Sequence, residues 1–267
     1  MSDFIKQYPA KPKKVYLYGT CIIDVVAPNS GLDAIALLER EGLEVVYPQG
    51  QTCCGQPAFN SGYSDEARNV AKAQMAQFPE PWPIVILSGS CGGMLRKHYP
   101  RLLANDPEVE AFSQRVFEFS EFLVHVLNIQ LDDLGEQQRV AIHTSCAGRR
   151  ELGIHDAGVS LLKQLKNIEL VDYAYEAECC GFGGTFAVKH SDISTAMVED
   201  KARHLSEANV DCYISSDWGC TLNINGSLEH QNMSLRGDYL ASFLRQRTDV
   251  NNISHCAVSP SDKRDER

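Results

Sequence analysis

Cysteines are the residues of this 267-residue chain whose type and spacing could do chemistry, and there are ten of them. Eight form two copies of one pattern: a single cysteine, then a Cys-Cys-Gly triplet, then another single cysteine. Corresponding cysteines lie 125, 126, 126 and 129 residues apart. Core cysteines have no reason to recur in register, so each quartet is predicted to form a binding site. The quartets are Cys21, Cys53, Cys54 and Cys91, and Cys146, Cys179, Cys180 and Cys220.

Four thiolates suit either a tetrahedral zinc ion or an iron–sulfur cluster. Adjacent side chains of an extended segment point to opposite sides, so both members of a Cys-Cys pair reach one ion only through a sharp turn. A cluster spreads its irons over a few ångströms and relaxes that demand. Gly55 and Gly181 directly follow the two pairs and would permit the turn. The pattern favours clusters, with zinc possible at one site and a redox-active vicinal disulfide as a further alternative.

Composition and charge narrow the class of protein. A net charge of −10 argues against nucleic acid or an anionic membrane as the main partner. No apolar run approaches the roughly 20 residues of a membrane helix, and the first residues lack the apolar segment of a secretory signal. We therefore expect a cytoplasmic protein without direct membrane insertion. In that reducing compartment many cysteines indicate metal or redox chemistry more often than disulfides.

The elements that must position the cysteines alternate between short apolar runs and helix-length stretches, which predicts parallel βαβ units. The predicted strands are 15–18, 43–47, 84–87, 140–143, 168–171 and 212–215. The predicted helices include 31–41, 65–77, 155–166 and 191–208. Every repeated cysteine lies in or near a loop that follows a strand. Because ligands of open α/β sheets bind at the carboxyl ends of strands, each quartet is expected to converge there.

The repeat period is that of a duplicated domain, and the predicted fold class is α/β with two tandem homologous domains. Each domain would be a small, mostly parallel sheet flanked by helices. The predicted division is a first cysteine-rich domain over 14–106, a helical linker over 107–138, a second cysteine-rich domain over 139–247 and a disordered tail over 248–267.

Several blocks around the cysteines resemble the CCG-domain iron–sulfur oxidoreductases. That group includes the heterodisulfide reductase B subunit and the glycolate oxidase iron–sulfur subunit, and the chain is most similar to the family of lactate utilization protein A and YkgE. The likeness runs from about residue 14 to about residue 247. The blocks are 53–63 (CCGQPAFNSGY), 88–94 (SGSCGGM), 149–153 (RRELG), 179–186 (CCGFGGTF) and the Cys220 loop.

The resemblance implies an electron-transfer subunit rather than a stand-alone enzyme. The assembly would oxidise L-lactate to pyruvate and would include a ferredoxin-like iron–sulfur protein and a smaller third protein. The implied cofactors are one or two iron–sulfur clusters, [4Fe–4S] in type, held by the eight cysteines. A thiol or disulfide reductase of the heterodisulfide class and a zinc-stabilised assembly scaffold remain as alternatives.

Two departures from the family pattern bear on the cluster type. The pattern ends in Cys-x-x-Cys, with five thiols per site, but Ser88 and Asp217 stand at the two additional positions. Four thiols suit an ordinary [4Fe–4S] cluster, or an open one with Asp217 or water at one iron. The alternative for Asp217 is a turn or helix-cap residue. Relatives often place a histidine directly after the cysteine that corresponds to Cys146, whereas here that residue is Ala147. His143 lies shortly before Cys146 and is either a donor to a cluster sulfur, a proton relay or a core histidine.

Overall fold

Eight short strands form the scaffold in a computed structural model that describes residues 7–250. They are β1 (Lys14–Tyr18), β2 (Glu44–Val46), β3 (Ile84–Ile86), β4 (Val116–Glu118), β5 (Gln138–His143), β6 (Ile168–Leu170), β7 (Cys212–Ser215) and β8 (Gly237–Tyr239). The first sheet has the order β2-β1-β3-β4 and the second β6-β5-β7-β8. All neighbouring strands pair in parallel. The predicted α/β fold with two similar parallel sheets is confirmed.

Helices connect successive strands and cover both sheets. They are α1 (Cys21–Val26), α2 (Pro28–Arg40), α3 (Gln56–Asn60), α4 (Ser64–Met75), α5 (Gly89–Gly93), α6 (Tyr99–Leu102), α7 (Val109–Gln114), α8 (Phe119–His125), α9 (His155–Gln164), α10 (Phe186–Lys189), α11 (Ser191–Glu207), α12 (Trp218–His230) and α13 (Leu240–Thr248). Two π-helical segments, Met94–His98 and Gly148–Leu152, extend these helical regions. The four helices predicted from periodicity correspond to α2, α4, α9 and α11.

The buried parts of the central strands carry apolar residues on both faces because both faces are covered. In β1, Val15 and Leu17 pack into one hydrophobic cluster and Tyr16 and Tyr18 into another, as the alternation of side chains along a strand requires. The first of these clusters also contains Ile214 and further residues of the second half. One hydrophobic cluster therefore spans both halves of the molecule.

The last helix of each half packs against the opposite half. Helix α13 packs along α2, where Ser242 Oγ donates to Ser30 Oγ at 3.0 Å and Arg245 forms an ion pair with Asp33 at 3.2 Å. Helix α8, from the first half, packs against α9 of the second. This exchange of helices joins the two sheets into one body.

The stretch 107–138, predicted to be a helical linker, contains helices α7 and α8 and also the edge strand β4, which pairs with β3. The strand lies directly between α7 and α8, so the sequence pattern did not separate it from the helices. In the predicted disordered tail, Thr248 is the last residue of α13, and residues 251–267 lie outside the described residues. Over residues 7–250 no helix combines the length and apolarity needed to cross a bilayer.

Candidate metal centres

Three loops bring the first quartet together at the carboxyl edge of the first sheet. Cys21 begins α1 directly after β1, Cys53 and Cys54 lie between β2 and α3, and Cys91 lies in α5 after β3. The sulfurs form a continuous series of hydrogen-bonded contacts, from Cys21 through Cys53 and Cys54 to Cys91. All four predicted residues therefore meet at one place.

The second quartet has the same construction at the carboxyl edge of the second sheet. Cys146 follows β5, Cys179 and Cys180 follow β6, and Cys220 lies in the first turn of α12 after β7. The Sγ atoms of Cys179 and Cys146 lie 3.9 Å apart, and Cys180 bridges Cys179 and Cys220 by hydrogen bonds. The structure thus brings all eight predicted cysteines into two matched groups.

A left-handed glycine shapes each Cys-Cys pair, as the sequence predicted. Gly55 has φ of 83° and Gly181 has φ of 81°, a region in which other residues are strained. In both loops the glycine N–H donates to the sulfur two residues earlier, Cys53 Sγ or Cys179 Sγ, at 3.4 Å. The turn therefore places a backbone donor against the first thiol of each pair.

In each Cys-Cys pair the first thiol ionises more readily than the second. The pKa of Cys53 falls to about 2 because Cys21 and Cys54 donate hydrogen bonds to its sulfur and the Gly55 N–H adds another. The hydrogen bond to Cys53, together with burial, raises the pKa of Cys54. In the second quartet the pKa of Cys179 is likewise about 2, owing to hydrogen bonds from Cys146 and Cys180. Each quartet is thus organised around one stabilised thiolate, the form of cysteine that binds metals.

The carbonyl of the second cysteine in each pair is fixed by a side chain from a neighbouring helix. Tyr99 donates its hydroxyl proton to the Cys54 carbonyl at 2.9 Å, and Asn223 Nδ2 donates to the Cys180 carbonyl at 2.8 Å. These bonds hold the loops in place without occupying the sulfurs. The thiols stay available as ligands.

The four thiols of each quartet suit a metal ion or an iron–sulfur cluster. Four sulfurs around one zinc, at about 2.3 Å each, would lie about 3.8 Å from one another. Among the described residues, the one set of three or more potential ligands within 4.8 Å of one another is His143, Cys180 and Cys220. Neither quartet as a whole is that tight. The donor set and the glycine N–H groups facing sulfur also suit a cluster.

The sequence predicts Asp217 to be either an iron ligand or a helix cap. In the structure its side chain caps the N-terminus of α12 and also forms hydrogen bonds with the Cys91 loop of the first half. Its Oδ1 accepts from the Gly219 N–H at the start of α12, at 3.1 Å. Its Oδ2 accepts from Ser88 Oγ at 3.0 Å and from the Ser90 N–H at 2.9 Å, at the start of α5. Ser88 and Asp217 stand where the family pattern has an additional cysteine in each half. They are therefore hydrogen-bonded to each other across the two halves.

The charge of Asp217 also acts on the second quartet. A hydrogen bond from Cys180 lowers the pKa of Cys220, but burial and then the Asp217 carboxylate outweigh it, so that the pKa is raised. Asp217 is 2% exposed, so this charge is poorly screened by water.

Lys201 is a residue near the second quartet that sequence reasoning missed. It is buried on the inner face of α11, and its Nζ donates to the carbonyls of Tyr175 at 2.7 Å and Glu176 at 3.2 Å, just before the Cys-Cys pair. Burial lowers the pKa of Lys201, and the charges of Glu178 and Cys180 oppose that shift. A lysine within the apolar stripe of a helix was the signal that could have revealed it.

Comparison with known proteins agrees with this construction. The family model of the CCG cysteine-rich domain matches residues 15–96 and 140–225, and each matched segment contains one complete quartet. The chain is 42% identical over 240 residues to lactate utilization protein A of Geobacillus sp. (strain WCH70), which covers 88% of this chain and 100% of the relative. The chain belongs to the lactate utilization protein A family.

The chain is also 42% identical over 238 residues to lactate utilization protein A of Geobacillus kaustophilus (strain HTA426). The alignment covers 88% of this chain and 99% of that relative. Among solved structures, a hypothetical protein from Helicobacter pylori superimposes with a TM-score of 0.63 at 12% identity. The match covers 90% of this chain and 51% of that one, and it shows a shared fold. The predicted membership of the lactate utilization protein A family and of the wider CCG group is confirmed.

Proposed function

We propose that both quartets hold iron–sulfur clusters and that the chain is an electron-transfer subunit in the oxidation of L-lactate to pyruvate. The observation that carries the proposal is the convergence of four thiols from three loops at the carboxyl edge of each sheet. The name of the relatives, lactate utilization protein A, supports the substrate. The duplication supports two sites of one kind.

Each cluster would be bound by cysteine ligands and stabilised by backbone N–H donors. The ligands would be Cys21, Cys53, Cys54 and Cys91 at the first site and Cys146, Cys179, Cys180 and Cys220 at the second. Backbone N–H groups of Gly55 and Gly181 would stabilise the thiolates that they already face. A bound [4Fe–4S] cluster supplies one-electron chemistry.

The reaction stoichiometry is consistent with two such sites. Conversion of L-lactate to pyruvate releases two electrons and two protons, so two one-electron carriers can take both electrons from one substrate molecule. We assign the oxidation itself to the assembly as a whole, with a ferredoxin-like iron–sulfur protein and a smaller third protein as the partners.

The first quartet is the more accessible one, which supports electron exchange with a partner on that side. Cys21 is exposed, whereas Cys180 and Cys220 of the second quartet are buried. Val25 and Val26, on the same short helix as Cys21, are also exposed. Apolar residues around a redox site are typical of surfaces that dock another protein.

Zinc at the second site is the alternative that a specific observation favours. His143, Cys180 and Cys220 lie close enough together to bind one ion, and a zinc site built on them would stabilise an assembly scaffold. The first quartet offers no comparable histidine, because Tyr18 ends its central strand.

The test is the iron, sulfide and zinc content of anaerobically purified protein, with EPR after reduction. Two four-iron clusters require about eight iron and eight sulfide per chain. Cys180→Ser is expected to halve that content and to remove one of two EPR signals, with loss of lactate-dependent electron flow in the reconstituted assembly. Cys212→Ala is the matched control, because Cys212 is a buried cysteine of β7 outside both quartets. Zinc at both sites without an EPR signal would overturn the proposal, as would full iron content in the Cys180→Ser variant.

A further inference from the structure

His143 is a buried polar residue that the proposed ligand sets do not use. It is the last residue of β5 and is 0% exposed. One of its ring nitrogens lies within 4.8 Å of the Sγ atoms of both Cys180 and Cys220. Its Nδ1 is 3.4 Å from the hydroxyl of Tyr173, and its buried Nε2 has no hydrogen-bond partner within the described residues.

The contacts of the ring leave Nε2 for the sulfurs. Nδ1 lies 3.4 Å from the Tyr173 hydroxyl, so the polar contact of the ring with the protein is made by that nitrogen. Nε2 is buried and unpaired among the described residues, on a ring that lies against two thiols. A buried polar nitrogen in that position requires a hydrogen-bond partner.

The first site has a different residue at this position. Tyr18 precedes His143 by 125 residues, the spacing that separates Cys21 from Cys146, and it is also the last residue of the central strand. Its hydroxyl donates to the Thr52 carbonyl at 2.7 Å, so it is already satisfied by the protein. The two sites share their thiols but differ in this one donor.

We propose that His143 Nε2–H donates a hydrogen bond to sulfur at the Cys180–Cys220 side of the second cluster, and that this bond raises the reduction potential of the second site above that of the first. The inference rests on the proposed function, because the acceptor is a cluster sulfur. A hydrogen bond to sulfur stabilises the reduced state, which carries the greater negative charge. His143 is thus a tuning residue, and electrons would pass from the first site towards the second.

The first experiment is a redox titration of both EPR signals, with Cys180→Ser used to assign the second-site signal. His143→Phe removes the donor and keeps the ring volume, and it is expected to lower the second-site potential with the first-site potential unchanged. His143→Gln retains an N–H and is expected to recover part of the shift. Tyr18→Phe is the matched control at the first site and should leave both potentials unchanged. A His143→Phe variant with two clusters and an unshifted second-site potential would overturn the inference.

Pulsed EPR on wild-type protein labelled with ¹⁵N-histidine does not depend on the folding of a variant. Weak nitrogen coupling on the second-site signal alone is the expected result. Strong coupling, typical of a nitrogen bound to iron, would overturn the assignment as a donor, and absence of any coupling would overturn the contact itself. Metal analysis separates the two proposals: zinc in place of iron at the second site contradicts the cluster, whereas iron without histidine coupling contradicts only the role of His143.

Discussion

At the scale of single residues, Lys201 shows how one buried charge distinguishes the second site. Its ammonium group holds two carbonyls of the loop that leads to Cys179, and it lies over the Tyr173 ring, 5.1 Å from the centroid. At the comparable place on α4, Gln74 holds the loop that leads to Cys53 by exchanging hydrogen bonds with Thr52. A neutral side chain thus does in the first half what a cation does in the second.

Lys201→Met is expected to lower the reduction potential of the second site and to destabilise the protein by about 1–3 kcal/mol. A positive charge favours the more negative reduced state, and its removal takes one hydrogen-bond donor from each of the carbonyls of Tyr175 and Glu176. Redox titration and chemical unfolding measure the two effects. Lys189→Met is the control, because Lys189 is an exposed lysine near the same site and its charge is screened by water. Equal shifts in the two variants would contradict a specific role for the buried lysine.

Alanine at the two Cys-Cys-Gly glycines is expected to have unequal effects. Both positions have positive φ, which costs an alanine about 1–2 kcal/mol. At Gly181 an added Cβ would also lie 2.7 Å from the Ser194 carbonyl oxygen, whereas at Gly55 the nearest atom is a Val70 methyl at 3.2 Å. The clash with the backbone should lower the free energy of unfolding of Gly181→Ala by a further amount of about 1–3 kcal/mol. Chemical unfolding compares the variants.

Gly226→Ala is the control for this pair. Gly226 lies inside α12, is exposed, and has free space around the position of an added Cβ. Alanine in a helix interior is expected to stabilise the protein by about 0.5–1 kcal/mol. If Gly55→Ala lost as much stability as Gly181→Ala, the steric argument would be wrong.

At the scale of elements, the start of α8 contains a carboxyl group that titrates near neutrality. Glu118 caps α8 in a capping box with Glu121, and its Oε2 accepts from the Ser120 N–H at 2.8 Å. Its other oxygen is buried and has no hydrogen-bond partner within residues 7–250. Burial raises the pKa of Glu118 from 4.5 to about 7.

The raised pKa predicts a loss of stability as the pH rises. The folded state binds the Glu118 proton more tightly than the unfolded state does, so its stabilisation is complete below about pH 4.5 and is lost as the pH rises through about 7. The loss between pH 5 and 8 should be about 2 kcal/mol, from 1.36 kcal/mol per pKa unit. Glu118→Gln should remove this contribution. It leaves that of Asp238, whose pKa is raised by burial to about 6, and that of His143, whose pKa is lowered by burial and which acts with the opposite sign. The free energy of unfolding of the wild-type protein and of the variant is measured across this pH range. If it changes with pH equally in both proteins, the assignment to Glu118 is wrong.

At the scale of the whole molecule, the two sites belong to one body rather than to two independent domains. Helices α8 and α13 each pack on the opposite half, and the core that contains Val15 and Ile214 is continuous. Arg247, near the end of α13, forms a buried ion pair with Asp133 through two contacts of 2.8 Å. The hydrogen bond between Ser88 and Asp217 then joins the loops of the two quartets directly.

A double-mutant cycle on Ser88 and Asp217 tests this link between the halves. Ser88→Ala should cost about 1 kcal/mol, and Asp217→Ala should cost more, because the carboxylate also caps α12. Because the side chains are in contact, their coupling energy should lie in the range of about 0.5–3 kcal/mol. Chemical unfolding of the four proteins measures the coupling, and additive losses would show that the two side chains do not interact.

The grouping of the cysteines and the main elements could be predicted because they depend on local patterns. Continuous apolar runs predicted six of the eight strands, since buried parallel strands are apolar on both faces. The position of each cysteine relative to a strand end predicted which thiols would meet. The edge strand β4 was missed because it lies directly between two helices, and β8 was missed because it contains Gly237 and Asp238.

The sequence by itself thus determined the class of fold, the duplication and the two groups of thiols, all of which depend on residue type and short-range order. Only the tertiary structure decided that Ser88 bonds to Asp217, that Lys201 lies beside the second quartet and that α13 packs on α2. These contacts join residues that are distant in the chain. The sequence also does not show which element packs against a given face of a helix. Side chains so far apart meet only after the sheets have twisted and the helices have packed, and that geometry is a property of the whole core.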